Sequence, residues 1–288
     1  LDNLFIQPAS GDAGGALGAA LFAWHQILKN PRTVNGKDDL QKGSLLGPSF
    51  TNDQVAEALK GYNAKSHYHA TEEALAEAVS QALADSKVVG LFNGRAEFGP
   101  RALGARSIIG DPRNPEMQKI MNLKIKFRES FRPFAPCVLE EDMQKYFELR
   151  APSPYMLLVG KVKDSIKKEL TEEEKKLFGI AKLNVPRSTV PAITHVDYSA
   201  RVQSVDDKRN PRLHRIITKF KEKTDCSVII NTSFNVRGEP IVLTPEDAYR
   251  CFMFTHMDVL VLENHVLYKE EQEKLEGADE HLADFELD

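Results

Sequence analysis

The chain has 288 residues, 42% hydrophobic and 28% charged, the proportions of an ordinary globular protein and not of a disordered one. No apolar run approaches the roughly 20 residues a membrane helix requires. The net charge of −4 is unevenly placed: Lys269 to Asp288 holds nine acids against two lysines, whereas Phe92 to Cys137 holds nine Lys/Arg against four Asp/Glu.

The first element expected is a strand entered midway at Leu4-Phe5-Ile6. The chain opens on Leu1, so the lack of a targeting pattern says little about the native protein. Gly11 to Lys29 follows as a helix with Leu17, Leu21, Trp24 and Leu28 on one face. Asn30 to Ser49, rich in Gly, Pro, Asn and Lys, reads as a loop or linker. Thr51 caps a short helix through Lys60, and Leu75, Val79 and Leu83 mark an amphipathic one. Val88 to Phe92 is a buried strand.

Strand and helix then alternate. Cys137 to Leu139 and Met156 to Val159 read as strands, and Lys161 to Lys176 as a charged, solvent-facing helix. Pro211 to Lys223 is a helix with Leu213, Ile216, Ile217 and Phe220 inward, followed by a strand at Val228 to Ile230. Thr244-Pro245-Glu246-Asp247 starts a helix: threonine caps, proline fits the first turn, and acids meet the positive dipole end. Asp258 to Leu262 and His265 to Tyr268 form a closing hairpin across Glu263-Asn264. The acidic end reads as a solvated tail. These elements predict an α/β (α+β) fold, a twisted mixed sheet with helices packed on it. Three separated cysteines, Cys137, Cys226 and Cys251, are too few for a disulfide framework or zinc site, and Cys226 and Cys251, beside apolar residues, suit small core residues of a reduced, cytoplasmic protein.

Three stretches carry chemistry. Gly94 to Ser107 repeats glycine every five residues, each glycine followed within two positions by an arginine, directly after a strand. Glycine lets backbone approach a ligand, and arginine offers a planar fork to phosphate or carboxylate. A solvated surface loop is the plainer alternative. Leu123 to Arg128, read as a strand, puts Lys124, Lys126 and Arg128 on one face and Leu123, Ile125 and Phe127 on the other. An edge strand blunted by lysines gives the same pattern. Asn231 to Asn235 ends a buried strand with small polar side chains, where α/β sheets often hold ligands and where a simple polar turn also fits. The basic zone is compact in an acidic chain, which suits a small polyphosphate better than a long nucleic acid. Asp12, ahead of a helix, reads as a cap more readily than as a metal ligand. The eight histidines offer no metal pair with a third ligand nearby, and no Ser/His/Asp nucleophile elbow is present.

Five blocks, Pro8 to Leu21, Gly94 to Pro115, Asn122 to Pro136, Pro191 to Val205 and Asn231 to Ala248, together resemble the nodulation and antibiotic O-carbamoyltransferase family. The resemblance implies two modules. Residues 1–50 would be the tail of an amino-terminal module with an actin-like ATPase fold that binds iron and nucleotide. Residues 51–268 would be a YrdC-like domain, and 269–288 an acidic tail. The implied chemistry converts carbamoyl phosphate to carbamate, which attacks ATP to give carbamoyl-AMP and pyrophosphate. The carbamoyl group then passes to an acceptor hydroxyl at the missing amino-terminal module; a sugar, an oligosaccharide and an antibiotic all fit.

Residue by residue, Lys126-Phe127-Arg128 resembles the Lys-x-Arg that YrdC-type domains use on phosphates. Thr232-Ser233-Phe234-Asn235 resembles their Ser/Thr-Ser-x-Asn turn. Lys126, Arg128, Ser233 and Asn235 are thus expected to be catalytic, and Arg101, Arg106, Lys124, Arg132, Arg201 and Thr232 to bind ATP and carbamoyl phosphate. Asp12 matches the family's metal-binding aspartate, a ligand only in the intact enzyme. Mg²⁺ accompanies ATP, held by Glu97 or Asp111 or mainly by the phosphates themselves. A nucleotide- or RNA-binding module without catalysis is the reading from a different class.

Overall fold

The computed structural model describes residues 6–34, 36 and 40–275. The expected strand at Leu4 to Ile6 falls mostly, and the acidic tail beyond Leu275 wholly, outside these residues. In chain order the elements are α1 (Asp12–Phe22), α2 (Asn52–Gly61), β1 (His67–Tyr68), α3 (Glu72–Ala84), β2 (Val89–Phe92), β3 (Arg106–Gly110), α4 (Met117–Lys124) and β4 (Ala135–Leu139). There follow α5 (Met143–Tyr146), β5 (Leu158–Lys161), α6 (Glu172–Lys176), α7 (Gly179–Leu183), β6 (Ser199–Val205), α8 (Pro211–Thr224), β7 (Val228–Ser233), α9 (Pro245–Met253), β8 (Val259–Leu262) and β9 (His265–Tyr268).

The helices begin where the caps place them. Thr51 pairs reciprocally with Gln54, and Thr244 with Asp247, so both form capping boxes. Asn210 accepts from Leu213 N–H ahead of Pro211. The inward stripe of α8, Leu213, Ile216, Ile217 and Phe220, is fully buried, and α8 lies along α3. By contrast Leu21 and Phe22 at the end of α1, and Trp24 and Leu28 in and just after the π-helical turn Ala23–Ile27 that continues it, are exposed. That helix forms as its period directs, but nothing described packs on its apolar face.

One mixed sheet runs in the order β1-β9-β8-β2-β3-β7-β4-β6-β5. The pairs β2–β8 and β4–β6 are parallel, and all others are antiparallel. The mixed α/β sheet expected from the sequence is present, and β8 and β9 form the closing hairpin about Glu263, whose φ is +49°. Two local expectations fail. Lys161 to Lys176 is not one helix: Asp164–Ile166 is a single 3-10 turn and Glu172–Lys176 a separate, exposed and capped α-helical turn. Leu123 to Arg128 is not a strand. The helix α4 runs to Lys124 because Met117 and Met121, four apart, pack against Gly110 of β3. The chain then turns at Phe127, where φ is +45°.

The strand directions put several segment ends together. The carboxy-terminal ends of β2, β7 and β8 and the amino-terminal ends of β3, β4 and β6 all lie at one end of the sheet. There the Gly/Arg loop leaves β2, the Ser233–Asn235 turn leaves β7, Arg132 leads into β4, and Arg201 sits near the start of β6.

Candidate active site at one end of the sheet

The Gly/Arg loop is held from behind by side chains of its neighbours. Glu97 Oε1 accepts from the backbone N–H groups of Leu103, Ala105 and Arg106 at 2.7, 2.8 and 3.2 Å. Glu263 Oε1 accepts from Gly94 N–H at 2.7 Å, where the loop begins. Asn231 donates to the Ala102 carbonyl, and Gln203 and Asn210 both donate to that of Leu103. Gly104 has φ +109°, and a Cβ there would lie 2.4 Å from Leu213 Cδ2, so the loop presses on α8 where only glycine fits. This scaffold leaves Arg101 exposed, without a carboxylate partner among the described residues.

Lys126 enters the same end from the turn after α4. It is 4% exposed, and its Nζ donates to the Ser233 carbonyl and to Asn235 O and Oδ1, both at 2.8 Å. Ser233 Oγ, 3.3 Å from Nζ, in turn donates to Asn235 Oδ1 at 2.7 Å. Every partner is an uncharged oxygen. Burial, then the charge of Arg128, pulls the Lys126 ammonium down to about 7. Lys126, Ser233 and Asn235 therefore form one cluster, as their grouping in the sequence reading required.

Arg128 stands beside it. Its Nε donates to Asn122 Oδ1 at 2.7 Å, and its guanidinium lies over the Phe134 ring, 5.0 Å from the centroid. Fully buried Asn122 also donates to the carbonyls of Ser130 and Arg132 at 3.1 and 2.8 Å, which fixes the loop that carries Arg128. Burial first, then Arg132, lowers the Arg128 guanidinium to about 10. Arg201 is half-buried on β6; its Nε is buried with no hydrogen-bond partner among the described residues, and burial and then the charge of Arg101 lower its pKa. Thr232 is half-buried opposite Ile108 of β3.

Three expected site residues are placed differently. Arg106 is fully buried and is spent on the carbonyls of Asn93, Gly94, Ala105 and Pro48, with its guanidinium 3.5 Å from the Phe92 centroid. In this conformation it braces the loop and does not face solvent. Lys124 is exposed beside Val88 and Asp258, in a groove at the opposite ends of β2 and β8. It shares no face with Lys126, since the strand that would have aligned them does not exist. Arg132 is on the loop but is ion-paired to Glu129 at 2.7 Å.

The suggested Mg²⁺ carboxylates are also engaged. Glu97 caps three N–H groups, and Asp111 is buried against Arg113, with contacts of 2.6 to 3.1 Å. Asp12 is exposed at the start of α1, and among the described residues no three His, Cys, Asp or Glu gather as a metal site. A lone exposed carboxylate does not make an iron centre. No helix among the described residues is long and apolar enough to cross a membrane.

Sequence reading overlooked the buried amides: Asn231, Gln203 and Asn210, which bond to distant backbone carbonyls, and Asn122, which bonds to carbonyls eight and ten residues on. It also passed over His195, which stands 3.3 Å from Ser199 Oγ. Its signal was a His-x-Asp-x-Ser spacing inside one of the five family blocks.

Fold and site together define a mixed α/β domain with a basic sheet end, where Lys126 and Arg128 rest on uncharged oxygens and the Gly/Arg loop is braced by Glu97 and Glu263. The Carbamoyltransferase C-terminus family matches residues 80–269. An uncharacterised protein of Synechocystis sp. is 58% identical over 99% of this chain and 46% of its own length. The nodulation protein NolO of Bradyrhizobium diazoefficiens is 38% identical over 91% of this chain and 44% of its own. The 3'-hydroxymethylcephem-O-carbamoyltransferase of Amycolatopsis lactamdurans is 32% identical over 83% of this chain and 39% of its own. The chain thus spans less than half the length of these relatives. Among solved structures, full-length HypF in its phosphate- and nucleotide-bound form matches 67% of this chain and 25% of its own, with TM-score 0.43 and 19% identity. The chain belongs to the carbamoyltransferase C-terminal family, a family of transferases.

Proposed function

We propose that this domain binds ATP and carbamoyl phosphate and activates the carbamoyl group as carbamoyl-AMP, for transfer to an acceptor hydroxyl by a longer protein. The observation that carries this is the gathering at one sheet end of Lys126, Arg128, Arg101 and Arg201 without carboxylate partners among the described residues. Unpaired cations on a partly dry, rigid scaffold suit an anionic ligand whose charge replaces the missing counter-ions. The cephem relative's name specifies carbamoyl transfer to a hydroxymethyl oxygen, which supports a hydroxyl acceptor here.

In this reading, carbamoyl phosphate and water give carbamate and inorganic phosphate. A carbamate oxygen then attacks the α-phosphorus of ATP, and the bond to the β-phosphate oxygen breaks with its electron pair on pyrophosphate. Negative charge grows on the leaving phosphates. Lys126, held by the Ser233–Asn235 turn, and Arg128, held by Asn122, stabilise it with little reorganisation. Arg101 and Arg201 are suited to a second phosphate. Mg²⁺ would be carried by the phosphates and water, because Glu97 and Asp111 are committed elsewhere. The reaction is followed by pyrophosphate release from ATP in the presence of carbamoyl phosphate. Absence of release, or unchanged release after Lys126→Ala, contradicts it.

A further inference from the structure

A side-chain relay beside Arg201 is not used by the cation cluster. The turn from His195 to Tyr198 is closed by the Tyr198 N–H donating to the His195 carbonyl at 2.9 Å. Ser199 Oγ donates to Asp197 Oδ1 at 2.6 Å and stands 3.3 Å from His195 Nδ1. A hydroxyl has one proton. Spent on the carboxylate, it leaves Oγ with lone pairs only, so the ring proton must sit on Nδ1. A neutral imidazole protonated on Nδ1 has a bare lone pair on Nε2. Asp197 thus fixes the tautomer of His195 through the serine.

The ring walls a cavity of about 300 Å³, which Gln118, Phe131, Leu183 and Ile193 also line. Ser199 and Arg201 are two apart on β6 and so share one face of the sheet. The relay and the Arg201 guanidinium, which has no carboxylate partner among the described residues, are therefore neighbours. The charged groups acting on His195 are Arg187, Arg201 and Asp197, and Asp197 is also 3.6 Å from Lys161. Burial first, then the two arginines, hold the ring below the ordinary histidine range against the pull of Asp197. It is a free base at neutral pH.

We propose that His195 Nε2 is the general base for the water consumed by carbamoyl phosphate, with the phosphate on Arg201. This rests on the reading above. As the water oxygen bonds to phosphorus, Nε2 takes its proton. The bond from phosphorus to the carbamoyl oxygen breaks, its electron pair leaves on carbamate, and inorganic phosphate stays on the arginines. Ser199 and Asp197 are positioning residues, since they act through the ring.

Two measurements on the 288-residue chain decide it. Nitrogen NMR of ¹⁵N-histidine-labelled protein, with His195 assigned by its loss in His195→Gln, should show the proton on Nδ1 at pH 7. The preference should weaken in Ser199→Ala. A proton on Nε2 overturns the proposal. Phosphate release from carbamoyl phosphate should fall roughly 10²–10⁴-fold in His195→Gln, the usual contribution of a general base, and recover in part with added imidazole. Release by the wild type that persists unchanged in His195→Gln overturns the base role alone. No release by the wild type overturns the activation reading and this step together.

Discussion

Lys126 Nζ lies 2.8 Å from both oxygens of Asn235, a residue 109 positions further along the chain. The contact joins the turn after α4 to the end of β7 and buries an ammonium among neutral acceptors. Lys126→Met should leave the domain folded and reduce pyrophosphate release by roughly 10²–10³-fold, the scale of losing one preorganised stabilising group. Circular dichroism and a coupled pyrophosphate assay on the same sample check both halves.

The same contact sets a pH dependence. The Lys126 ammonium falls from 10.5 to about 7 on folding, so between these values the unfolded chain holds the extra proton. Stability should rise with pH from about 7 to about 10.5, and below 7 the burial of the charged form costs its full amount. Denaturant midpoints should show this rise in wild type, and Lys126→Met should lose the part between about pH 7 and 8 and keep a smaller rise above it, because burial also lowers the Lys269 ammonium, to about 8. An anion bound at the site raises the Lys126 pKa, so pyrophosphate binding at pH 8 should take up protons. Calorimetry in two buffers of different ionisation enthalpy measures the uptake, and its absence contradicts the assignment.

Gly104 locks the loop against α8. Gly104→Ala forces a non-glycine residue to φ +109° and drives its Cβ into Leu213 and Asn210. A loss of about 2–4 kcal/mol is expected from strain and overpacking together, read as a lower denaturant midpoint.

Glu97 separates a structural carboxylate from a metal ligand. Glu97→Ala leaves three N–H groups of the loop without their acceptor, at a cost of about 1–3 kcal/mol. Activity should fall, and raising Mg²⁺ should not restore it. Recovery with Mg²⁺ would show that Glu97 is a metal ligand after all.

How much of this was legible beforehand depended on the range of the interactions. The caps at Thr51 and Thr244, the stripe of α8 and the β8–β9 hairpin are local, and each appears where the sequence placed it. The error at Leu123 to Arg128 has a definite cause. Six alternating residues fit a strand, but the packing of Met117 and Met121 on Gly110 extends the helix into them. Lys124 and Lys126 consequently part company. Arg106 was read as a free cation because its burial on Phe92 depends on the pairing of β2 with β3. The amides that aim the loop, such as Asn231 and Gln203, bond to backbone a hundred or more residues away or to each other. No local spacing announces that. The grouping of Lys126 with the Ser233–Asn235 turn came from family resemblance; the structure supplies the contacts.

The central claim is that one end of the sheet is a small-polyphosphate site, and pyrophosphate binding by calorimetry tests it most directly. Lys126→Met, Arg128→Met and Arg201→Met should each weaken binding at least roughly tenfold, since a charge-assisted contact is worth about 1.5–3 kcal/mol. The Lys124→Met variant, altered at the opposite end of β2, should bind as wild type does. Unchanged binding in the first three variants, or an equal loss in Lys124→Met, would contradict the account. So would wild-type protein that ignores pyrophosphate yet binds single-stranded RNA with strong salt dependence.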